Sequence, residues 1–404
     1  MKKNIVLVGL LYDTNLGDQA IFHATRFYID QIFIQHQINN IDIRMMDMTG
    51  RDGVNSNAIE KKIKQSYAFR ITRKIFKKSK RVQKFLKRYV AVNSARKNNK
   101  LFLDSNTLAV IFVGGGIIKY QYQYFHLYIN EILKVTNKNN IPVMFSAVGI
   151  EGYNQFNKDC LLLRKALQQK CVKMITTRDD LDLLQKHYCL DIPTAKVADP
   201  VYGISKLIPK HIKRNNPKVI GLGVVRENLF INNNISFSKK DMLLLWKSLF
   251  DALKNSNYEC KIFCNGLKAD YQFGLDLLEY MGIPDSKIND YLVPCPKTTN
   301  DLVDIISSFD GIIVGRLHAS IIAYSYGISS IGLVWNNKQK MFGEMIGYPE
   351  RFIEKHNFNV SAIMEVLNKA IEEGYSKIDQ ESFSKTTIYY LEHFINQYLI
   401  KKEI

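Results

Sequence analysis

No stretch of this 404-residue sequence reaches the roughly 18 consecutive apolar residues that a membrane-crossing helix needs. Cysteine is sparse. The six residues at 160, 171, 189, 260, 264 and 295 form no CxxC pair, so neither a zinc site nor a disulfide framework is indicated, and reduced thiols are expected. No GxGxxG follows a strand, which leaves a dinucleotide reading without support. The triplet Gly114-Gly115-Gly116 lacks the Lys-Ser/Thr ending of a phosphate loop, which argues against an NTPase. Zinc-finger, RNP and KH signatures are missing, so nucleic acid is not expected as a partner. After Met1-Lys2-Lys3-Asn4 the apolar run Ile5–Leu11 has no small-residue cleavage site. It reads as the first strand of a fold and not as a targeting peptide, and a cytoplasmic location is expected.

Acidic residues are missing altogether from 61 to 100, where sixteen Lys or Arg stand against no Asp or Glu. The whole chain carries a net charge of +18, so the remainder is close to neutral. Ile71, Ile75, Val82, Phe85, Leu86, Tyr89 and Val90 recur in this segment at helical spacing. A basic amphipathic helix is predicted, inserted at about 59–100. Two readings stay open. It is a solvated helix packed by its apolar stripe, or it docks on an anionic membrane surface or a lipid-diphosphate substrate at the inner membrane face.

Strand-like and helical runs alternate along the chain. Strands are expected at Ile5–Leu10, Ile41–Met46, Leu108–Val113, Ile141–Val148 and Val172–Thr176. A second series covers Val219–Val225, Cys260–Cys264, Gly311–Val314 and Ser329–Val334. Such alternation implies parallel sheets covered by helices. The expected fold is α/β, with two Rossmann-like domains facing a cleft. The boundaries read as 1–205 for the N-terminal domain, 206–217 for a polar linker with prolines at 209 and 217, 218–380 for the C-terminal domain, and 381–404 for a helix packing back.

Polar residues stand where strands end, which is where open α/β sheets bind ligands. Asn15, Gly17 and Asp18 follow the first strand; they cap the next helix or line a site. Gly114, Gly115 and Gly116 permit close backbone approach to a ligand. Arg178 opens a helix before two acids and makes a local ion pair or an anion contact. Arg226 stands at the end of the second domain's first strand, as a salt bridge or a ligand. Lys338 starts a helix and meets solvent or a phosphate. Arg316 and His318 are the sharpest pair. They bracket Leu317 at a turn from a buried strand into a helix N-terminus, where backbone N–H groups favour anions.

The segments Asn15-Leu16-Gly17-Asp18-Gln19-Ala20-Ile21, Gly114-Gly115-Gly116, Ala147-Val148-Gly149, Arg178-Asp179, Ala198-Asp199-Pro200 and Arg316-Leu317-His318, followed by Lys338, occur in an informative order. Together they resemble the polysaccharide pyruvyl transferase family over roughly residues 5 to 350. The resemblance implies a fold similar to the GT-B glycosyltransferases. It implies transfer of the enolpyruvyl group of phosphoenolpyruvate onto two sugar hydroxyls, giving a pyruvate ketal in capsular or exopolysaccharide biosynthesis. In the family the Arg-Leu-His turn belongs to the phosphoenolpyruvate site, which maps to Arg316, Leu317 and His318. A further upstream arginine takes part, and Arg178 and Arg226 are both candidates. This chain departs from the pattern at Ile117-Ile118-Lys119, where members often carry an acidic or polar residue. The expected roles are His318 as general acid or base, Arg316 as charge partner and Asp18 as orienter of the acceptor hydroxyls. No metal or cofactor is required; phosphoenolpyruvate is the donor substrate, and the acceptor is a saccharide that a lipid diphosphate can carry. Two alternatives remain. One is a nucleotide-sugar-dependent glycosyltransferase on the same fold; the other is a non-catalytic assembly protein binding glycan or lipid.

Overall fold

The computed structural model describes residues 2–51, 80–121, 123–189, 191–212 and 216–400. The basic run 61–79 and Tyr122 lie outside the described residues. Two compact units emerge. The first comprises Met1–Asp13, Ile21–Asp199 and Thr386–Ile404; the second comprises Thr14–Ala20 and Pro200–Lys385.

The first unit holds a six-stranded sheet. Its strands are β1 (Lys3–Gly9), β2 (Ile41–Asp47), β3 (Thr107–Val113), β4 (Val143–Val148), β5 (Val172–Thr177) and β6 (Thr194–Lys196), in the order β2-β1-β3-β4-β5-β6. All neighbours pair in parallel. The central strands are largely apolar runs buried on both faces, as a helix-covered parallel sheet requires. Its helices are α1 (Leu16–Gln35), which starts in the second unit's segment, then α2 (Lys80–Phe102), α3 (Phe125–Lys138), α4 (Lys158–Leu167) and α5 (Leu181–His187). Asn157 and Asp180 cap α4 and α5 through side-chain oxygens.

The second unit holds a five-stranded parallel sheet: β7 (Val219–Gly223), β8 (Glu259–Phe263), β9 (Gly311–Val314), β10 (Ser329–Val334) and β11 (Phe352–Glu354), in the order β11-β10-β9-β7-β8. The main helices are α6 (Lys239–Asn255), α7 (Lys268–Tyr280), α8 (Thr299–Ser307), α9 (Leu317–Ser325), α10 (Asn337–Met345) and α11 (Val360–Glu373). Ser238 with Asp241 and Thr298 with Asp301 form complete capping boxes on α6 and α8.

The boundaries differ from the sequence expectation in three places. The division falls at Asp199/Pro200, and residues 14–20 fold with the second unit. The described part of the expected linker is packed: Tyr326 donates to the Ile208 carbonyl at 2.6 Å, and Lys210 pairs with Asp304 at 2.5 Å. Prolines and charge signal a break in regular structure, but they do not report which neighbours the broken segment finds. The short edge strands β6 and β11 were not expected either, because three residues give too little periodicity to read. At the chain's end α12 (Lys377–Ile395) begins in the second unit and ends in the first. Its Leu391, Phe394 and Ile395, with Leu399 beyond it, are buried against Ile5, Leu7 and Phe22. Among the described residues no helix is long and apolar enough to cross a membrane.

Candidate functional site

The second sheet, in chain order, runs 2-1-3-4-5, so connections leave β7 in opposite directions. In such sheets ligands usually bind outside the carboxyl ends of the strands that flank this reversal, here β7 and β9. The chain places Arg226 after β7, and Arg316 and His318 after β9. The two loops are drawn tightly together: a Cβ at Gly315 would collide with a Val225 methyl. The Gly315 carbonyl accepts hydrogen bonds from Trp335 Nε1 at 2.5 Å and Gln339 Nε2 at 3.2 Å. This turn is thus fixed from the β10 side as well.

Arg316 occupies the N-cap of α9 in extended conformation, φ −105° and ψ 123°. Its guanidinium Nε and Nη2 both donate to Asp270 Oδ2, at 2.9 and 2.6 Å. Asp270 lies in the first turn of α7 and is fully buried, whereas the Arg316 side chain keeps 13% exposure. The contact uses one edge of the fork and leaves Nη1 outside it. His318 stands in the first turn of α9, buried to 7% exposure, where the helix's positive end favours an anion nearby.

The segment 14–20 closes over this turn from within the same unit. The Leu16 N–H donates to the Asn265 carbonyl at 3.2 Å. Gly17 lies so close to His318 that a Cβ there would meet the imidazole Nδ1, Cγ and Cβ. Asn15 Nδ2 donates to Asp18 Oδ2 at 2.8 Å, and the Asp18 N–H returns to the Asn15 carbonyl at 3.1 Å. Asn15 and Asp18 therefore brace one another at the start of α1, beside the histidine.

Several polar atoms at this carboxyl edge are buried with no hydrogen-bond partner among the described residues. They are Arg226 Nε, both side-chain polar atoms of Asn265, and Asp270 Oδ1. Each such group costs about 1–3 kcal/mol when left unmet by solvent or a ligand, which makes this edge a candidate for binding a polar group. Cys264 adjoins Asn265, but burial pushes its thiol up to about 12, so it is no nucleophile at neutral pH. Lys338 lies half-buried in the first turn of α10, where its N–H meets the capping Asn336 Oδ1 at 3.1 Å.

The remaining candidates belong to the first unit, where they adjoin one another at its strand ends. Gly114, with φ 130°, leads into Gly115 and Gly116 after β3. The Gly115 carbonyl accepts from the Gly149 N–H at 2.8 Å, which stitches the triplet to the end of β4. Asp179 Oδ2 accepts from the Ile150 N–H at 3.1 Å. Arg178 is buried and ion-paired with Asp199, with Asp179 Oδ1 at 3.7 Å from its Nε. Its close partner is thus the distant Asp199 rather than the neighbouring acids, and Arg226 lies in the same unit as Arg316. Leu317 is half-buried within the turn.

Sequence reasoning missed Asp270 and Asn265. Asn265 follows the strand Cys260–Cys264 directly, so its place at a strand end was available as a signal. Asp270 carried none: an acid in a helix's first turn is ordinary, and only the fold shows that it faces Arg316.

Comparison with known proteins follows from this geometry. No curated protein matches the chain by sequence. Among solved structures it is similar to the UDP-GlcNAc 2-epimerase of Neisseria meningitidis, with TM-score 0.52 and 13% identity, over 99% of this chain and 100% of that one. The UDP-GlcNAc 2-epimerase of Methanocaldococcus jannaschii gives TM-score 0.55 and 10% identity, over 98% and 99% of the two chains. The UDP-forming α,α-trehalose-phosphate synthase of Burkholderia xenovorans gives 0.50 and 10%, over 98% of each. Identities this low establish the fold alone, the GT-B architecture of two parallel-sheet α/β domains. The model of the family described as polysaccharide pyruvyl transferase matches residues 15–337, from the Asn15 brace through the Arg316-Leu317-His318 turn to the start of α10, and the chain belongs to that family.

Proposed function

We propose that the second unit binds phosphoenolpyruvate and that the protein transfers its enolpyruvyl group onto two hydroxyls of a saccharide, forming a pyruvate ketal for a surface polysaccharide. The observation that carries this reading is the convergence of Arg316, His318 and the unmet polar atoms of Arg226 and Asn265 on one switch-point turn. Phosphoenolpyruvate presents a carboxylate and a phosphate, so it needs guanidinium forks and helix N-termini held rigidly.

The chemistry balances without further reactants. A proton is delivered to the methylene carbon, and one sugar hydroxyl adds to the neighbouring carbon and loses its proton. The carbon–oxygen bond to phosphate then breaks, and phosphate leaves with the electron pair. The second hydroxyl attacks the resulting cation and gives up its proton, so the products are the ketal and inorganic phosphate. His318 suits the first proton transfer, or removal of the first hydroxyl's proton. Arg316 Nη1 and Arg226 suit the anionic groups, with Lys338 a further cation for the phosphate. Asp18, steadied by Asn15, suits the acceptor hydroxyls. Gly114, Gly115, Gly116 and Arg178 stand at the first unit's strand ends as further substrate-binding candidates, and Arg178 stays beside Arg226 as an alternative for the donor.

The test compares donors. Calorimetry should show binding of phosphoenolpyruvate and none of UDP-sugars. With a saccharide acceptor, phosphate should appear in step with a new ketal methyl signal in the proton NMR spectrum. Tight binding of a UDP-sugar with no phosphate released from phosphoenolpyruvate would replace this reading with a glycosyltransferase.

Gly17→Ala supplies a finer check. The added methyl must displace the buried His318 ring, at a cost of about 1–3 kcal/mol in stability. A displaced catalytic group costs on the order of 10²-fold in rate. The expected result is a folded protein with kcat reduced to that degree and phosphoenolpyruvate affinity nearly kept. An unaltered kcat would separate residue 17 from the reacting centre.

A further inference from the structure

Helix α2 carries eight Lys or Arg and no acid over Lys80–Phe102. Its residues divide by what they touch. Ala91, Ala95, Asn99 and Leu103 just beyond its end are buried against the first unit. Asn99 Nδ2 donates to the Glu131 carbonyl at 3.0 Å, and Ser94 Oγ to the Thr49 carbonyl at 2.9 Å. Two cations serve the same attachment. Arg88 Nη1 pairs with Asp159 at 2.6 Å, and Arg96 Nε with Glu131 at 2.7 Å. His126 Nε2 also approaches Asp159, at 3.5 Å. Burial brings its imidazole down to about 4, with Arg88 and Lys84 acting in the same direction against the pull of Asp159. At neutral pH the Asp159 charge is therefore balanced by Arg88 and not by the histidine.

The other cations are not spent on attachment in this way. Arg81, Lys84, Lys87, Lys97 and Lys100 are exposed. Among them stand large apolar side chains that face water: Phe85 at 67% exposure and Tyr89 at 60%, one helical turn apart, with Val90 at 42%. A face kept only for solubility has no use for two aromatic rings. Beside the carboxyl half of the helix, a cavity of about 610 Å³ is lined by Arg96, Lys97, Lys100 and Lys134, with Glu131 as its acid. Aromatic rings flanked by cations that no acid opposes among the described residues, next to a basic hollow, match the boundary of an anionic bilayer: rings enter the headgroup layer while ammonium groups meet lipid phosphates.

We propose that the exposed amino-terminal half of α2, where the Phe85–Tyr89 ring pair is flanked by Arg81, Lys84 and Lys87, docks the protein on anionic lipid. The proposal does not depend on the donor substrate, because its readout is vesicle binding. Nucleic acid would answer to the same charge, but the paired exposed rings and the absence of a nucleic-acid signature favour lipid.

The experiment measures co-sedimentation of the full chain with vesicles of one-third phosphatidylglycerol in phosphatidylcholine, and with phosphatidylcholine alone. Wild type should bind only the anionic vesicles, and less in high salt. Arg81→Gln/Lys84→Gln/Lys87→Gln should weaken this on the order of 100-fold, since each cation near the surface contributes about five-fold. Phe85→Ser/Tyr89→Ser alters exposed side chains only and should weaken binding about ten-fold or more at any salt concentration. Equal binding of wild type and both variants overturns the proposal. So does equal binding to neutral vesicles, or complete displacement from anionic vesicles by a short single-stranded oligonucleotide.

Discussion

Arg316→Ala should lower kcat/KM for phosphoenolpyruvate by ~10²–10³-fold, because a charge-assisted contact in a dehydrated site is worth about 2–4 kcal/mol. The same substitution has a second consequence. Asp270 is fully buried, and Arg316 is the partner of its Oδ2. Removing one member of such a pair leaves a buried charge uncompensated, at a cost of about 3–5 kcal/mol in stability. Loss of activity in the single variant therefore needs separating from loss of fold. The double variant Arg316→Ala/Asp270→Asn removes both charges, so its melting temperature should recover much of the loss while its kcat/KM stays low. A well-folded double variant with normal phosphoenolpyruvate kinetics would remove Arg316 from the donor site. Arg316→Lys keeps the pairing charge but loses the planar fork, and should fall between wild type and alanine.

His318→Gln should reduce kcat by ~10²–10⁴-fold while leaving phosphoenolpyruvate binding largely intact. Glutamine retains hydrogen-bonding atoms near the ring's position but cannot accept and return a proton. The proposed roles separate binding from chemistry: the cations assigned to the donor are other residues, while the ring is held against Gly17 at the helix start. Calorimetric affinity together with single-turnover phosphate release separates the two effects. A parallel loss of affinity and turnover would make His318 a binding residue, and normal turnover across pH 6 to 9 would end its acid–base assignment.

The fold was legible in the sequence because its strands are buried on both faces. Ile5–Leu10, Leu108–Val113 and Gly311–Val314 read as bounded apolar runs for the same reason that they form central parallel strands. Much of the site was legible too. Arg316, His318, Arg226 and Lys338 follow strand ends or open helices, and a strand end is a position that sequence reveals.

By itself, then, the sequence determined the two α/β series, the polar residues at their strand ends and the charge of α2, since each of these depends on residues close together along the chain. Tertiary structure alone decided the rest. It matched Arg316 with Asp270 across 46 positions. It paired Arg178 with Asp199, 21 positions further along the chain (199 − 178). It carried residues 14–20 to the second unit and set Gly17 against His318. It also sorted the cations of α2 into those that attach the helix and those that face water. The physical reason is the same throughout. Capping, periodicity and turn chemistry are local free energies written in neighbouring residues, whereas the partner of a buried charge is chosen by which strand ends the sheet order brings together.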